Sequence, residues 1–358
     1  MSRLIRAVID TQALRHNLNV IRERAGRANV IAVVKANAYG HGLVSAALAI
    51  QDAGAFAVAR LEEGMTLRAA GITSRIVLLE GVFSPSQLDD AAHDRLDLVV
   101  HDPRQIELLE RRGGAAQFAV WIKVDTGMNR LGFAPRDFPA ALERIRALPT
   151  PARELRLMTH LACADERDGQ VTGEQLRRFT DCTHGLSYET SIVNSAGLLC
   201  DAAPVSHWVR PGLALYGASP FEDATAADFG LKPVMTLIST VLTVRQVGRG
   251  ERVGYGGAWS APRDSRIAII AAGYGDGVPR SFETGTPVLI QGRRAPLVGR
   301  VSMDMIAVDV TAVPGVEIGT SAVLWGQDLP VEEVARHAGT IAYELLCSVS
   351  QRVPLEPR

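Results

Sequence analysis

Eight short apolar runs punctuate residues 31–217, and segments with helical spacing of their apolar residues separate most of them. The runs are IAVVK (31–35), AFAVAR (55–60), RIVLLE (75–80), LDLVV (96–100), FAVWIKVD (118–125), LRLMTHLA (155–162), SIVNS (191–195) and WVRPGLALYG (208–217). Runs apolar along most of their length read as strands buried on both faces. The intervening segments, among them LVSAALAIQDAG, LEEGMTLRAAG, SPSQLDDAAHD, PRQIELLERRG, DFPAALERIRAL and GEQLRRFTDCTHG, read as helices. A further amphipathic helix, 11–26, precedes the first run and stops at Gly26. Strands alternating with helices make a parallel sheet, and eight such units predict a (β/α)8 barrel. A doubly wound sheet would need fewer strands and usually a GxGxxG turn, and none follows any strand here.

Near residue 231 the pattern changes. VMTLISTVLTVRQV (234–247) is β-branched and partly alternating, and SRIAIIAAGYGDG, TPVLIQG, APLVGRVSMDMIAVDVT and SAVLWG follow with glycine turns between them. The expected organisation is therefore α/β: a barrel over 1–230, then a mostly-β domain over 231–358. Gly273–Gly277 resembles a nucleotide loop, but no helix follows it, so it is expected to be turns.

Composition narrows the partners. A net charge of -1 gives no footprint for nucleic acid or an anionic membrane. No run has the length of a transmembrane helix, and Arg6 and Asp10 break up the N-terminal apolar residues. The four cysteines have no CxxC spacing, as expected of reduced thiols in a cytoplasmic protein.

In a parallel barrel the chemistry sits at the C-terminal strand ends. Lys35 is expected at or just past the first of these, with no other charge between it and Arg27. A lysine in a dry setting is a candidate amine nucleophile and Schiff-base former, although most strand-end lysines are solvated. The loops after strands seven and eight hold Asn194-Ser195-Ala196-Gly197 and Arg210-Pro211-Gly212-Leu213. They are rich in hydroxyls and backbone N–H groups, as a phosphate requires. A lysine opposite a phosphate cradle points to pyridoxal phosphate (PLP), whose aldehyde and phosphate need those two anchors. His160 with Cys163 and Asp165 could mimic a metal site, but zinc would need another ligand at suitable spacing, and no metal is expected.

VVKANAYGHG, KVDTGMNRLG (123–132), MTHLACAD (158–165), NSAG (194–197), VRPGLALYG (209–217), GYGGAW (254–259), AAGYGDGVPR (271–280), GRVSMDMIAVDV (299–310) and AYELLC (342–347) resemble the motifs of alanine racemases, in that family's order. The resemblance implies a fold-type III PLP enzyme that interconverts L- and D-alanine, as a homodimer with shared active sites. It implies that Lys35 carries PLP and is the base for D-alanine, and that Tyr255 of the partner subunit is the opposed base for L-alanine. Arg210 would face the pyridine nitrogen, and His160 would link Arg210 to Tyr255. Tyr39, Ser195, Gly212, Leu213 and Tyr343 would hold the phosphate, with Asn194 close by. Arg130, and Met303 of the partner subunit, would meet the substrate carboxylate, Asp304 would line the entrance, and Lys123 matches a lysine carbamylated in many members. Supply of D-alanine for the cell wall or its breakdown would both use such an activity.

The roles suit the chemistry. Racemisation passes through a planar carbanion, so two bases on opposite faces serve it. A phenol with a pKa of about 10 is a weak base at neutral pH and needs cationic help. Arginine at a ring nitrogen keeps its proton, which limits long-lived carbanionic intermediates and wasteful transamination. Two alternatives are a broad-specificity amino-acid racemase of the same fold and a PLP-binding homeostasis protein; the latter lacks a domain like 231–358.

Overall fold

The computed structural model describes residues 4–112, 118–150, 152–166, 169–201, 204 and 206–358. Gly113, the expected stop of the helix starting at 103, lies outside them.

The eight expected strands are all present and close into a barrel. Strand β1 (Arg6–Ile9) comes first and stands outside it. The barrel strands are β2 (Asn29–Val33), β3 (Ala55–Val58), β4 (Arg75–Leu78), β5 (Asp97–Val100), β6 (Ala119–Lys123), β7 (Glu154–Met158), β8 (Glu189–Asn194) and β9 (Trp208–Arg210). Each pairs in parallel with the next, and β2 pairs with β9 through Asn29–Trp208 and Val30–Val209 to complete the ring. The apolar runs are buried along their length, with β3 and β5 showing no exposed residue. The helices between them start where local chemistry permits. At Pro85–His93, Ser84 Oγ accepts the amide of Gln87 (3.2 Å) and proline occupies the first turn, where its missing N–H loses nothing.

The N-terminal end of the barrel is closed by charge and aromatic rings. Arg75 pairs with Asp97 and with Glu154 (2.7 Å), Arg153 reaches Asp97 (3.4 Å), and Arg156 pairs with Glu154 and with Glu189 (2.5 Å). Trp121 Nε1 donates to Asp97 (3.2 Å) and Trp208 Nε1 to Glu189 (2.9 Å). The Arg156 guanidinium lies 5.2 Å and 5.4 Å from those two indole centroids. This layer serves stability, because the chemistry of such barrels belongs to the other face.

Among the described residues the second unit comprises residues 4–16, Tyr39–Gly42 and Tyr216–Arg358. Its organising strand is β10 (Met235–Val247), whose first half alternates buried and half-buried residues. It pairs antiparallel with β1, with Ser265–Ile270 and with Ser321–Trp325, and β1 pairs in parallel with Leu355–Pro357. This division differs from the one drawn at residue 230. The first strand is recruited into a sheet more than two hundred residues away. Residues 216–230 are tied to the same unit, because the buried Glu332 carboxylate accepts the amides of Ser219 (2.6 Å) and Ala226 (3.0 Å).

Asp97→Ala is expected to lower unfolding free energy by about 3 kcal/mol, since it takes one of two carboxylates from Arg75, removes the Arg153 partner and leaves the Trp121 N–H without its acceptor. Asp181→Ala, which removes an exposed pair with Arg177, should change it by less than about 1 kcal/mol. Urea titration of the two variants checks the difference; equal losses would contradict it.

Candidate active site

The C-terminal ends of four barrel strands bring basic side chains together. Lys123 ends β6 and Arg210 ends β9, while Lys35 and His160 lie two residues past β2 and β7. Arg130 comes from the loop after β6. Arg210 is only 5% exposed, and its hydrogen-bond partners are neutral. It donates to Ser191 Oγ (2.6 Å), the Thr159 carbonyl (2.6 Å), His160 Nδ1 (3.3 Å) and the Ile192 carbonyl (3.4 Å). Burial pulls its pKa down to about 10, which still leaves it cationic at neutral pH.

The cluster dictates the states of its neighbours. Burial, then Arg210, Lys123, Arg130 and Lys35, hold His160 well below the usual histidine range, so its ring is neutral. Arginine can only donate, so Nδ1 accepts and the ring proton sits on Nε2. Burial, then Arg210 and Arg130, bring Lys123 down to about 8, with Asp125 acting in the opposite direction. An appreciable fraction of its amine is therefore uncharged and nucleophilic near neutral pH.

Beside these cations lies the small-residue cradle. Ser195 Oγ, 3% exposed, accepts the amides of Gly212 (2.9 Å) and Ala214 (3.3 Å), which leaves its own hydrogen to donate. Asn194 Oδ1 caps the short helix Ser195–Leu199 by accepting the Gly197 amide (2.9 Å). Leu213 opens the 3-10 turn Leu213–Tyr216.

The remaining expected residues lie in the second unit. Tyr39, 7% exposed, stacks on Tyr216 at 4.8 Å, and its ring is 6.1 Å from that of Tyr343. Burial first, then Tyr343 and Cys347, raise its phenol, so it is a hydrogen-bond donor rather than a phenolate. Asp304 is paired with Arg352 (2.7 Å), which also reaches Asp276 (2.9 Å). Tyr255 sits in a one-turn 3-10 element and is 70% exposed; Met303 is 53% exposed. Among the described residues no group of His, Cys, Asp or Glu is arranged to hold a metal ion, the trio His160, Cys163 and Asp165 included.

Two positions at the mouth escaped the sequence. Gln175, 1% exposed, donates to the His160 carbonyl (3.0 Å) and accepts the Ala162 amide (2.8 Å), bracketing the segment that carries His160. Lys35 opens a turn whose next four residues, Ala36 to Tyr39, all have φ of 53–54°. No glycine announces this left-handed run, and a backbone clamp such as Gln175 has no characteristic spacing.

A parallel barrel whose mouth combines a strand-end lysine, an arginine–histidine pair and an amide-rich cradle, followed in the same chain by a β unit, has the plan of a fold-type III enzyme. Residues 9–220 match the family model described as alanine racemase, N-terminal domain, and residues 234–356 match that of the C-terminal domain. The alanine racemase of Vibrio parahaemolyticus serotype O3:K6 is 47% identical over 351 residues, covering 98% of each chain. The crystal structure of biosynthetic alanine racemase from Pseudomonas aeruginosa superposes with a TM-score of 0.97 at 45% identity, covering all of both chains. Alanine racemase from Acinetobacter baumannii gives 0.93 at 39% identity, again over both whole chains. The chain belongs to the alanine racemase family. Its match to both domain models separates it from barrel-only PLP-binding proteins.

The lowered His160 pKa has a direct readout. Its imidazole nitrogens should show the neutral Nε2–H form throughout the neutral range by nitrogen NMR. A titration centred near the ordinary value of 6.5 would contradict the cationic surroundings described above.

Proposed function

We propose that the chain is a cytoplasmic racemase acting on L- and D-alanine, with PLP held at the barrel mouth and a second copy completing each site. The observation that carries this reading is the convergence of Lys35, Lys123, Arg130, His160 and Arg210 beside the Ser195–Gly212 cradle. The donor set fits the cofactor. A primary amine suits its aldehyde, hydroxyl and amide donors suit its phosphate, and a permanently protonated guanidinium suits its ring nitrogen. When bound, the cofactor withdraws electrons from the substrate Cα and makes its hydrogen removable.

The protein's groups then divide the labour. Lys35 anchors the aldehyde and exchanges the proton on the D-alanine side. Tyr255 of the partner subunit exchanges it on the L-alanine side, in keeping with its exposure on this chain. Arg210 would face the ring nitrogen and keep its own proton, which would limit the electron withdrawal available for side reactions. His160, neutral and protonated on Nε2, passes the influence of the Arg210 cation to the partner's tyrosine. Tyr39, Tyr343, Ser195, Gly212 and Leu213 hold the phosphate, with Asn194 shaping that loop. Arg130, and Met303 of the partner subunit, receive the substrate carboxylate, and Asp304 lines the approach. Lys123, with its lowered pKa, takes up carbon dioxide as a carbamate that braces Arg130.

Dimerisation has its own support. The second unit exposes Leu4, Tyr255, Met303, Met305 and Ile341. A cleft of about 790 Å³ there is lined by Leu4, Leu242, Met305, Asp304 and Arg352, among others. Exposed apolar side chains beside an ion pair are the composition of a protein–protein contact.

Purified protein should be yellow, and borohydride should fix the cofactor covalently on the peptide containing Lys35. Colour that survives in Lys35→Ala would remove the lysine from its role. Neither Lys35→Ala nor Tyr255→Phe should be appreciably active alone, whereas a mixture should regain part of the activity through hybrid dimers. No regain from mixed, re-equilibrated subunits would overturn the shared site. In protein supplied with carbon-13 bicarbonate, a carbamate signal should be present and be absent from Lys123→Ala.

A further inference from the structure

Glu63 makes a set of contacts that helix formation alone does not account for. It is the third residue of the helix Leu61–Ala69, and its Oε2 accepts the amides of Ala59 (3.0 Å) and Arg60 (3.1 Å). That half is a capping interaction at the end of β3. Its other oxygen, Oε1, accepts the amide of Ala36 (2.7 Å), which belongs to the chain leaving β2. One carboxylate therefore joins the C-terminal ends of two neighbouring barrel strands.

The Ala36 amide is a consequential place to hold. It shares its peptide plane with the Lys35 carbonyl, so fixing it fixes the ψ angle of Lys35 and the direction in which its side chain leaves. It is also the first N–H of the left-handed run, where Ala36, Asn37 and Ala38 each have φ of 54°. L-residues resist this conformation, so the run persists only where surrounding bonds impose it. Within the barrel unit those bonds include Ala36 N–H to Glu63, Ala38 N–H to the Val34 carbonyl (2.8 Å) and Leu43 N–H to Asn37 Oδ1 (2.8 Å). Glu63 supplies the only charged acceptor among these three, and charged acceptors make the stronger hydrogen bonds.

We propose that Glu63 is a positioning residue for the racemisation: by clamping the Ala36 amide it holds the left-handed turn and aims the Lys35 amine. The proposal rests on the reading of Lys35 as the base on the D-alanine side, and its test separates the two.

Glu63→Gln is isosteric but has one acceptor oxygen in place of two, so it cannot serve both the helix cap and Ala36. Met65→Gly, on the same helix, is the control that loosens the helix without touching Ala36. In cofactor-free protein, Glu63→Gln should speed hydrogen–deuterium exchange at the Ala36 amide by about tenfold or more, and Met65→Gly should not. In the holoenzyme, misaimed Lys35 makes its own proton transfer more rate-limiting. The primary isotope effect with Cα-deuterated D-alanine should then rise in Glu63→Gln while that with L-alanine falls. Met65→Gly should lower the melting temperature and leave both isotope effects unchanged. Glu63→Asp keeps the charge but falls one methylene short of bridging both strands, and takes the place of Glu63→Gln if that variant does not fold. Unchanged Ala36 exchange, or isotope effects that do not move in opposite directions, would overturn the proposal. If Lys35→Ala kept its colour while Ala36 exchange rose in Glu63→Gln, the clamp would stand and the assignment of the base would fall.

Discussion

The burial of one positive charge with neutral partners shapes the barrel mouth. Arg210 is held by a serine hydroxyl, a histidine nitrogen and two carbonyls, and by none of the carboxylates that neutralise the arginines at the opposite end. A cation in that state raises the potential around it. Burial first, and then this potential, lower Lys123 to about 8 and keep His160 neutral. It also favours anionic groups, and both a phosphate and an amino-acid carboxylate are anions. The buried cation thus adds to the burial of its neighbours in fixing their protonation states, and it favours the class of ligand that the mouth prefers.

The two ends of the barrel show how position determines what a charge does. At the N-terminal end Arg75, Arg153 and Arg156 face Asp97, Glu154 and Glu189, with two tryptophans donating to the carboxylates and covering Arg156. Charge there is balanced locally, and removing one member leaves another uncompensated. At the C-terminal end Lys35, Lys123, Arg130 and Arg210 cluster, with Asp125 the acidic group acting on Lys123. Imbalance of this kind lowers stability, and it persists at functional sites because bound ligand restores the balance.

Much of this was legible from residue pattern. The eight strands could be counted because a parallel strand buried on both faces is apolar throughout, as AFAV and DLVV are. The strand ends then located Lys35, Lys123 and Arg210, and the placement of small residues located the cradle. β1 was missed because four residues, RAVI, carry little periodicity and their partner is remote, in β10. The left-handed turn has no clear mark in the sequence because Ala and Tyr disfavour it and one Asn among them does not announce a run of four; the surrounding hydrogen bonds impose it. Glu63 and Gln175 were missed for a related reason. They act on backbone amides and carbonyls, which every residue has, so their targets leave no mark in the sequence.

These omissions share a physical cause. Side-chain chemistry is local and visible, whereas the orientation of that chemistry comes from contacts between distant segments. Lys35 illustrates the separation. Its amine could be named from one short stretch, but its aim depends on a peptide plane held by a carboxylate 28 residues further along, on a different barrel segment. A site must hold its groups to within a fraction of an ångström to favour one geometry of proton transfer. In this barrel Glu63 supplies hydrogen bonds between neighbouring strand ends, so a residue that never touches the reacting atoms can act on their alignment.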